Sequence, residues 1–235
     1  MDGSIDDHSS IVPNREVQTW EVTVFLFLIV PSMILSLFVI RQGQLSFLLA
    51  ATATILRDLG LVSLILFFLW RNGESVTSIG WTWRFPLREV LIGVLCFIPV
   101  CLSAAFLEWA LLRVGLSASA TPLPSFLKAQ GLAEAPLALL LVTVVALAEE
   151  TIFRGYLLLR FQFLLGNVTA SVLLSSAIFA VGHGYEGSAG VVTIGMMGAV
   201  LALVYLWRGS LVASMVIHFL QDFLGIVLLP LLDRK

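Results

Sequence analysis

Two adjacent glutamates and an arginine lie inside an apolar stretch, in the segment ALAEETIFRG at residues 146–155. Arg154 follows Glu150 by four residues, which places the two side chains on one helix face in the favourable acid-before-base order. Glu149 is turned about 100° away from that face, so this arginine is not its partner. A charge at the centre of a membrane helix costs about 2.5 to 3.5 kcal/mol, so each carboxylate needs a partner or a function. The segment therefore indicates a structural role for Glu150 and leaves Glu149 free for chemistry.

Two histidines have similarly apolar surroundings further along the chain. His183 ends the segment FAVGH, four residues after Phe179, and a glycine stands on each side of it. His218 begins the segment HFLQD, and Asp222 follows it by four residues, so these two side chains share a helix face. A spare carboxylate, two histidines and a helper carboxylate on three helices are the groups needed to hold and activate one water molecule.

The residue types limit the reaction that such a site could perform. The apolar segments contain no GxSxG motif, no Ser–Lys or Asp–Asp arrangement suited to a nucleophile or an aspartyl dyad, and no HExxH zinc helix. What remains is Glu149 as a general base that works with His183 on a water attacking an amide carbonyl. His218 would donate a hydrogen bond to the developing oxyanion, and Asp222 would orient His218.

Each of these features also has a structural interpretation. A buried Glu–Arg pair can hold a helix in register, a histidine on an apolar face is usually a hydrogen-bonded core residue, and a His–Asp pair can be a local polar contact. Taken one at a time, the structural interpretation is the commoner one. Three such features on three separate helices favour a shared site.

The composition identifies the kind of helix that carries these residues. Of the 235 residues, 59% are hydrophobic and 12% are charged, which is typical of a membrane protein. The apolar runs are continuous and long, so they predict helices rather than strands. The sequence therefore predicts an all-α polytopic membrane bundle of seven to eight transmembrane helices, with seven candidate spans at residues 20–40, 45–70, 88–112, 135–163, 168–184, 189–207 and 210–230.

These spans are predicted to form one membrane domain in three parts. Residues 1–19 are a polar N-terminal tail, which contains His8, a residue with no expected role. Residues 20–134 hold the first helices and an interfacial segment at 122–130, which has two prolines and then a short amphipathic stretch. Residues 135–230 hold the helices with the candidate catalytic groups.

The second span has a charged interruption halfway along it, at Arg57 and Asp58. The pair is compatible with one long helix that contains a buried ion pair. It is equally compatible with two shorter pieces that are separated by a break. The sequence leaves both arrangements open and gives the pair no role.

The three motifs together resemble a known family of membrane proteases. EETIFR matches EExxxR, FAVGH matches FxxxH and HFLQD matches HxxxN/D, the motifs of the CAAX protease and bacteriocin-processing family, also called the Abi family of intramembrane proteases. The motifs occur in the family's order, on separate predicted spans, within about residues 135–225. The resemblance, which is to the type II CAAX prenyl endopeptidases in particular, implies a bundle of seven or eight helices with a water-filled cavity that opens within the membrane.

The resemblance also implies roles for the residues of the first two motifs. Glu149 and His183 would activate the water, while Glu150 and Arg154 would form a supporting ion pair. Phe179 begins the second motif and would support the site.

The third motif departs from the common form of the family. The resemblance implies that His218, with the fourth residue after it, stabilises the oxyanion. Many members have asparagine at that fourth position, whereas this chain has Asp222. An ionised carboxylate would repel an oxyanion, so Asp222 must be protonated or limited to holding His218.

The need for a metal is left open by the sequence. Members of the family have been described both as metalloproteases and as metal-independent glutamic proteases. If a divalent metal such as zinc is bound, its ligands would be Glu149, His183 and His218, with one coordination position open. Because the histidines lie on separate helices and hydrogen bonding alone can perform the chemistry, the favoured mechanism requires no cofactor.

The favoured function is an intramembrane endopeptidase that lies in the lipid bilayer and cleaves a membrane-anchored or lipidated protein or peptide. Prenylated CAAX proteins, bacteriocins and C-terminal anchor helices are the candidate substrates. A proton-coupled membrane carrier and a non-catalytic immunity or scaffold protein stay open as alternatives. Scattered Lys and Arg and a formal charge of −2 argue against a nucleic-acid partner. The small size and modest loops favour the plasma membrane of a prokaryote.

Overall fold

Seven helices form the bundle in the part of the chain that the structure describes, one for each predicted span. The structure, a computed structural model, describes residues 14–42, 46–118 and 131–232. These residues contain no strand, and their helices are α1 Arg15–Gln42, α2 Phe47–Arg71, α3 Pro86–Arg113, α4 Ala135–Leu165, α5 Val168–Val181, α6 Gly187–Arg208 and α7 Val212–Leu232. The prediction of an all-α polytopic membrane bundle is confirmed.

Helix α5 is shorter than the other six, each of which is long and apolar enough to cross a membrane. Its 14 residues cover about 21 Å, whereas the hydrocarbon layer is roughly 30 Å thick. A helix of this length that begins at one surface therefore ends inside the layer. The Gly-His-Gly sequence that follows α5 turns the chain into a short 3₁₀ segment, and this places His183 directly after the end of α5.

Helix α1 begins at Arg15, inside the predicted polar tail 1–19. The helix extends beyond its apolar run because the polar side chains of its first turns have partners. Arg15 Nη2, for example, donates to the carbonyl oxygen of Leu164 at 2.9 Å. His8 and the predicted surface segment 122–130 lie outside the described residues.

Helix α2 is continuous through Arg57 and Asp58, so the first of the two arrangements considered for this span is the correct one. The two side chains form an ion pair, with 2.8 Å between Arg57 Nη2 and Asp58 Oδ1. The Asp58 side chain is fully buried, whereas 35% of the Arg57 side chain is exposed. An ion pair between adjacent helix residues is unusual because neighbouring side chains do not face each other.

The main apolar core joins α1, α2, α4 and α5. Phe25, Ile65, Tyr156 and Leu157 are completely buried in it, and the rings of Phe25 and Tyr156 lie 5.4 Å apart. Membrane helices associate through such close packing, since the lipid is as apolar as the core. This core holds the N-terminal helices against α4, which carries the first motif.

Helix α3 packs against α6 and α7 on the other side of the bundle. Gly93 permits the close approach, because a methyl group at this position would lie 2.8 Å from the carbonyl oxygen of Ala213. Glu89 and Arg208 form a two-pronged ion pair between α3 and α6, with N–O distances of 2.7 and 3.0 Å. These contacts fix the position of α7, which carries the third motif.

One end of the bundle holds a network of charged and amide side chains, called here the end cluster, which joins α1, α2 and α4. Arg160 donates to both carboxylate oxygens of Glu74, at 2.8 and 2.9 Å. Glu21 accepts from Arg71 at 2.6 Å and from Asn72 at 2.9 Å. Buried charges are tolerated when they are paired in this way.

Candidate active site

A stretch of π-helix lies within α4 and carries most of the first motif. It runs from Glu150 to Leu157, and all eight of its residues are buried. Side chains of neighbouring segments bond to its polar groups: Ser175 Oγ donates to the carbonyl oxygen of Phe153 at 2.7 Å, and Trp81 Nε1 donates to Thr151 Oγ1 at 3.0 Å. Such π segments are rare and often occur at functional sites.

The predicted pair of Glu150 and Arg154 forms inside this stretch. Arg154 Nη1 donates to Glu150 Oε1 at 2.9 Å, and both side chains are almost completely buried. The same oxygen is 2.9 Å from His218 Nδ1 on α7. Because a carboxylate can only accept, Nδ1 carries a hydrogen here. Glu150 therefore joins the first motif to the third, a contact that the sequence did not predict.

The second ring nitrogen of His218 lies near the remaining carboxylates of the site. His218 Nε2 is 3.7 Å from Glu149 Oε2 and 3.5 Å from Asp222 Oδ2. Both distances allow charge attraction but exceed those of good hydrogen bonds. Glu149 Oε2 is buried and has no hydrogen-bond partner in the described part of the chain. Glu150 Oε2 and Asp58 Oδ2 are buried without a partner as well, but the other oxygen of each accepts a hydrogen bond from an arginine. Of these three carboxylates, Glu149 is therefore the one that no arginine holds by a hydrogen bond among the described residues.

Phe179 separates the two histidines. Its ring centroid is 4.9 Å from that of His183 and 6.1 Å from that of His218, and the guanidinium of Arg154 lies 4.2 Å from its centre. The carbonyl oxygen of Phe179 is 3.2 Å from His183 Nδ1, so this nitrogen carries a hydrogen. His183 Nε2 is then the nitrogen that remains for a ligand or water.

The candidate residues meet at one cavity of about 500 Å³. The cavity lies among α1, α2, α4, α5 and α7, and its wall includes the four proposed catalytic side chains, Glu149, His183, His218 and Asp222. No hydrogen bond joins Glu149 to His183, although both side chains line the same cavity.

The wall of the cavity also contains residues that the sequence analysis did not place in the site. Arg57 and Asp58 of α2 and Tyr185 of the 3₁₀ segment line it. The only sequence signal was the charged interruption in the second span. Nothing in a single sequence indicated that this interruption would lie opposite the first motif.

The geometry does not supply a ready metal site. Among the described residues, no three His, Cys, Asp or Glu side chains are placed to hold a single ion. The suggested ligands Glu149, His183 and His218 line one cavity, and each histidine has its Nδ1 bonded to an oxygen acceptor and its Nε2 available. This ring orientation is usual for metal-ligating histidines, but the three side chains are not placed to hold a single ion, so the mechanism passes through no metal.

We define the site cluster as Glu149, Glu150, Arg154, His218 and Asp222. It combines a carboxylate oxygen without a partner, an imidazole held by a second carboxylate, and a cavity large enough for part of a substrate. These are the elements of a hydrolytic site in which a carboxylate acts on water.

Comparison with known proteins agrees with this chemistry. Residues 131–224 match the family model described as type II CAAX prenyl endopeptidase Rce1-like. No curated protein matches the chain, and no solved structure does. The match includes all three motifs and supports an intramembrane endopeptidase at the level of the family. The resemblance that the motifs indicate is thus confirmed as a match, over residues 131–224 and so less than half of the chain, to the model of the Rce1-like type II CAAX prenyl endopeptidase family.

Proposed function

We propose that this protein hydrolyses a peptide bond of a membrane-associated, prenylated protein, with Glu149 as the general base. The observation that carries the proposal is the position of Glu149 Oε2, which lies 3.7 Å from His218 Nε2 beside the cavity and has no hydrogen-bond partner in the described residues. The family match supports the substrate class. Small size and modest loops favour the plasma membrane of a prokaryote.

Glu149 and His183 hold the attacking water in this mechanism. Glu149 accepts one hydrogen of the water and His183 Nε2 accepts the other, because His183 Nδ1 already donates to the Phe179 carbonyl. As the water oxygen bonds to the carbonyl carbon, its proton passes to Glu149. The same proton then goes to the amine when the C–N bond breaks, which leaves a carboxyl product and a free amine.

His218 stabilises the oxyanion of the intermediate. A ring protonated on both nitrogens donates from Nδ1 to Glu150 and from Nε2 to the oxyanion. Glu150 and Arg154 fix the orientation of the ring without touching the substrate. Asp222 attracts the imidazolium, with its Oδ2 at 3.5 Å from Nε2, and so helps to hold the ring in place.

Comparison of protein termini in cells tests this function. Wild type and Glu149→Gln are expressed at equal levels in a host that lacks the native copy, and termini of membrane and secreted proteins are identified by mass spectrometry. We expect new termini with the wild type alone, close to prenylated cysteines. Glu16→Gln, a change at an exposed position of α1, serves as the control and should behave as the wild type.

Identical termini with wild type and Glu149→Gln, with both proteins folded, would contradict the proposal. Termini that depend on Glu149 but lie far from any lipidated cysteine would keep the protease and change the substrate class.

A further inference from the structure

One side chain in the cavity carries a permanent positive charge. Arg57 of α2 lines the cavity, and the other charged groups of its wall, apart from the histidines, are the carboxylates Asp58, Glu149 and Asp222. Arg57 lies outside residues 131–224 and outside all three motifs. The mechanism above does not use it.

The guanidinium of Arg57 has hydrogen-bonding capacity to spare. Its Nε donates to Asp58 Oδ1 at 2.9 Å, and its Nη2 lies 2.8 Å from the same oxygen as an ion pair. A guanidinium has five N–H groups, and the other three have no protein partner in the described part of the chain. Asp58 is fully buried and holds one edge of the guanidinium. By contrast, 35% of the Arg57 side chain is exposed. The free edge matches the planar shape of a carboxylate.

The size of the cavity indicates which part of a substrate enters. A volume of about 500 Å³ is that of an ordinary small-molecule pocket, so it accommodates a few residues of extended peptide. A helix with side chains is 10–12 Å across and would not fit beside the site. A short chain end fits, and an end carries a charge that needs a partner in apolar surroundings.

We propose that Arg57 binds the free C-terminal carboxylate of the substrate while the bond to be cut lies beside Glu149. Asp58 is a positioning residue that holds the Arg57 guanidinium. This proposal rests on the proposed function and adds a specificity to it. The added specificity is for a substrate whose C-terminus is a free carboxylate.

Binding without cleavage isolates this subsite. All proteins in the experiment carry Glu149→Gln, and the probe is a fluorescent peptide whose fourth residue from the C-terminus is S-farnesylcysteine. It is used as the free acid and as the C-terminal amide. With Arg57 present we expect the acid to bind about tenfold more tightly than the amide, because hydrogen bonds to charged groups are the strong ones. Arg57→Gln should remove that preference.

Two further variants separate charge from folding. Arg57→Gln combined with Asp58→Asn removes both charges of the pair, so no buried carboxylate is left alone, and it too should bind acid and amide equally. Arg113→Gln removes a cation from the end of α3 that packs on Trp109, and it should keep the full preference for the acid.

Two outcomes would overturn the inference. Equal binding of acid and amide by the protein with Arg57 would do so, as would an acid preference that survives in both Arg57 variants. The proposed function is tested separately by cleavage with Glu149 intact, so it can fail while the preference for the acid is still measured.

Discussion

The end cluster and the site cluster are both groups of Glu and Arg in the same bundle, the first partly buried and the second mostly buried, and their hydrogen bonding differs. In the end cluster every carboxylate oxygen of Glu21 and Glu74 has a partner, and the atom left over is Arg160 Nε. In the site cluster, both carboxylates of the first motif have an oxygen without a hydrogen-bond partner among the described residues, and so does Arg154 at Nη2.

This difference separates a structural network from a functional one. An unsatisfied buried polar group costs about 1–3 kcal/mol, so a network that only has to be stable is expected to satisfy its atoms. Natural proteins accept such costs mainly at functional sites. We therefore expect changes in the end cluster to affect stability alone and changes in the site cluster to affect turnover.

The largest combined loss of stability and turnover is expected for Glu150→Gln, because Glu150 forms a buried ion pair with Arg154 and also holds His218 Nδ1. The change leaves the Arg154 guanidinium buried without its counter-charge, which should cost about 3–5 kcal/mol of stability. It also removes the carboxylate that holds His218 Nδ1, so turnover per folded molecule should fall. Unfolding in detergent micelles and peptide cleavage measure the two effects. Normal turnover in the folded fraction would show that Glu150 does not orient His218.

Removing one arginine of the end cluster is expected to have a smaller effect, confined to stability. Arg160→Gln deprives Glu74 of two hydrogen bonds and Glu21 of a nearby charge. We expect a loss of about 3 kcal/mol in the free energy of unfolding, with the cleavage rate per folded molecule within about twofold of the wild type. A selective loss of turnover would contradict the division between the clusters.

The smallest effect is expected from a methyl group added beside the site. In Gly198→Ala the new carbon would lie 3.2 Å from both Arg154 Nη2 and Phe179 Cδ1. Overpacking of this kind costs about 1–3 kcal/mol, and it should lower turnover severalfold by moving the guanidinium. Gly60→Ala is the matched control, because a methyl group there meets nothing within 4 Å. Equal effects of the two changes would mean that Gly198 does not support the site.

Local patterns predicted much of this molecule. Apolar runs located all seven helices, and the spacing of four between Glu150 and Arg154 predicted an ion pair that forms at 2.9 Å. Both results depend only on residues close in sequence. The early start of α1 could not be predicted in this way, because it depends on the contact of Arg15 with Leu164.

Contacts between distant segments account for what the sequence did not predict. The bond between Glu150 and His218 joins residues 68 positions apart, and no spacing rule covers such a pair. The π segment and the position of Arg57 beside the first motif are likewise results of helix packing. The catalytic roles of Glu149, His183, His218 and Asp222 stay predictions.

The central claim is that Glu149 is the general base, and cleavage by purified protein tests it most directly. Wild type, Glu149→Gln and Glu16→Gln are compared on one farnesylated peptide, with rates divided by the folded fraction from thermal unfolding. We predict that Glu149→Gln lowers kcat at least about a hundredfold without a lower unfolding temperature, and that Glu16→Gln equals the wild type. A folded Glu149→Gln protein that cleaves at the wild-type rate would contradict the claim.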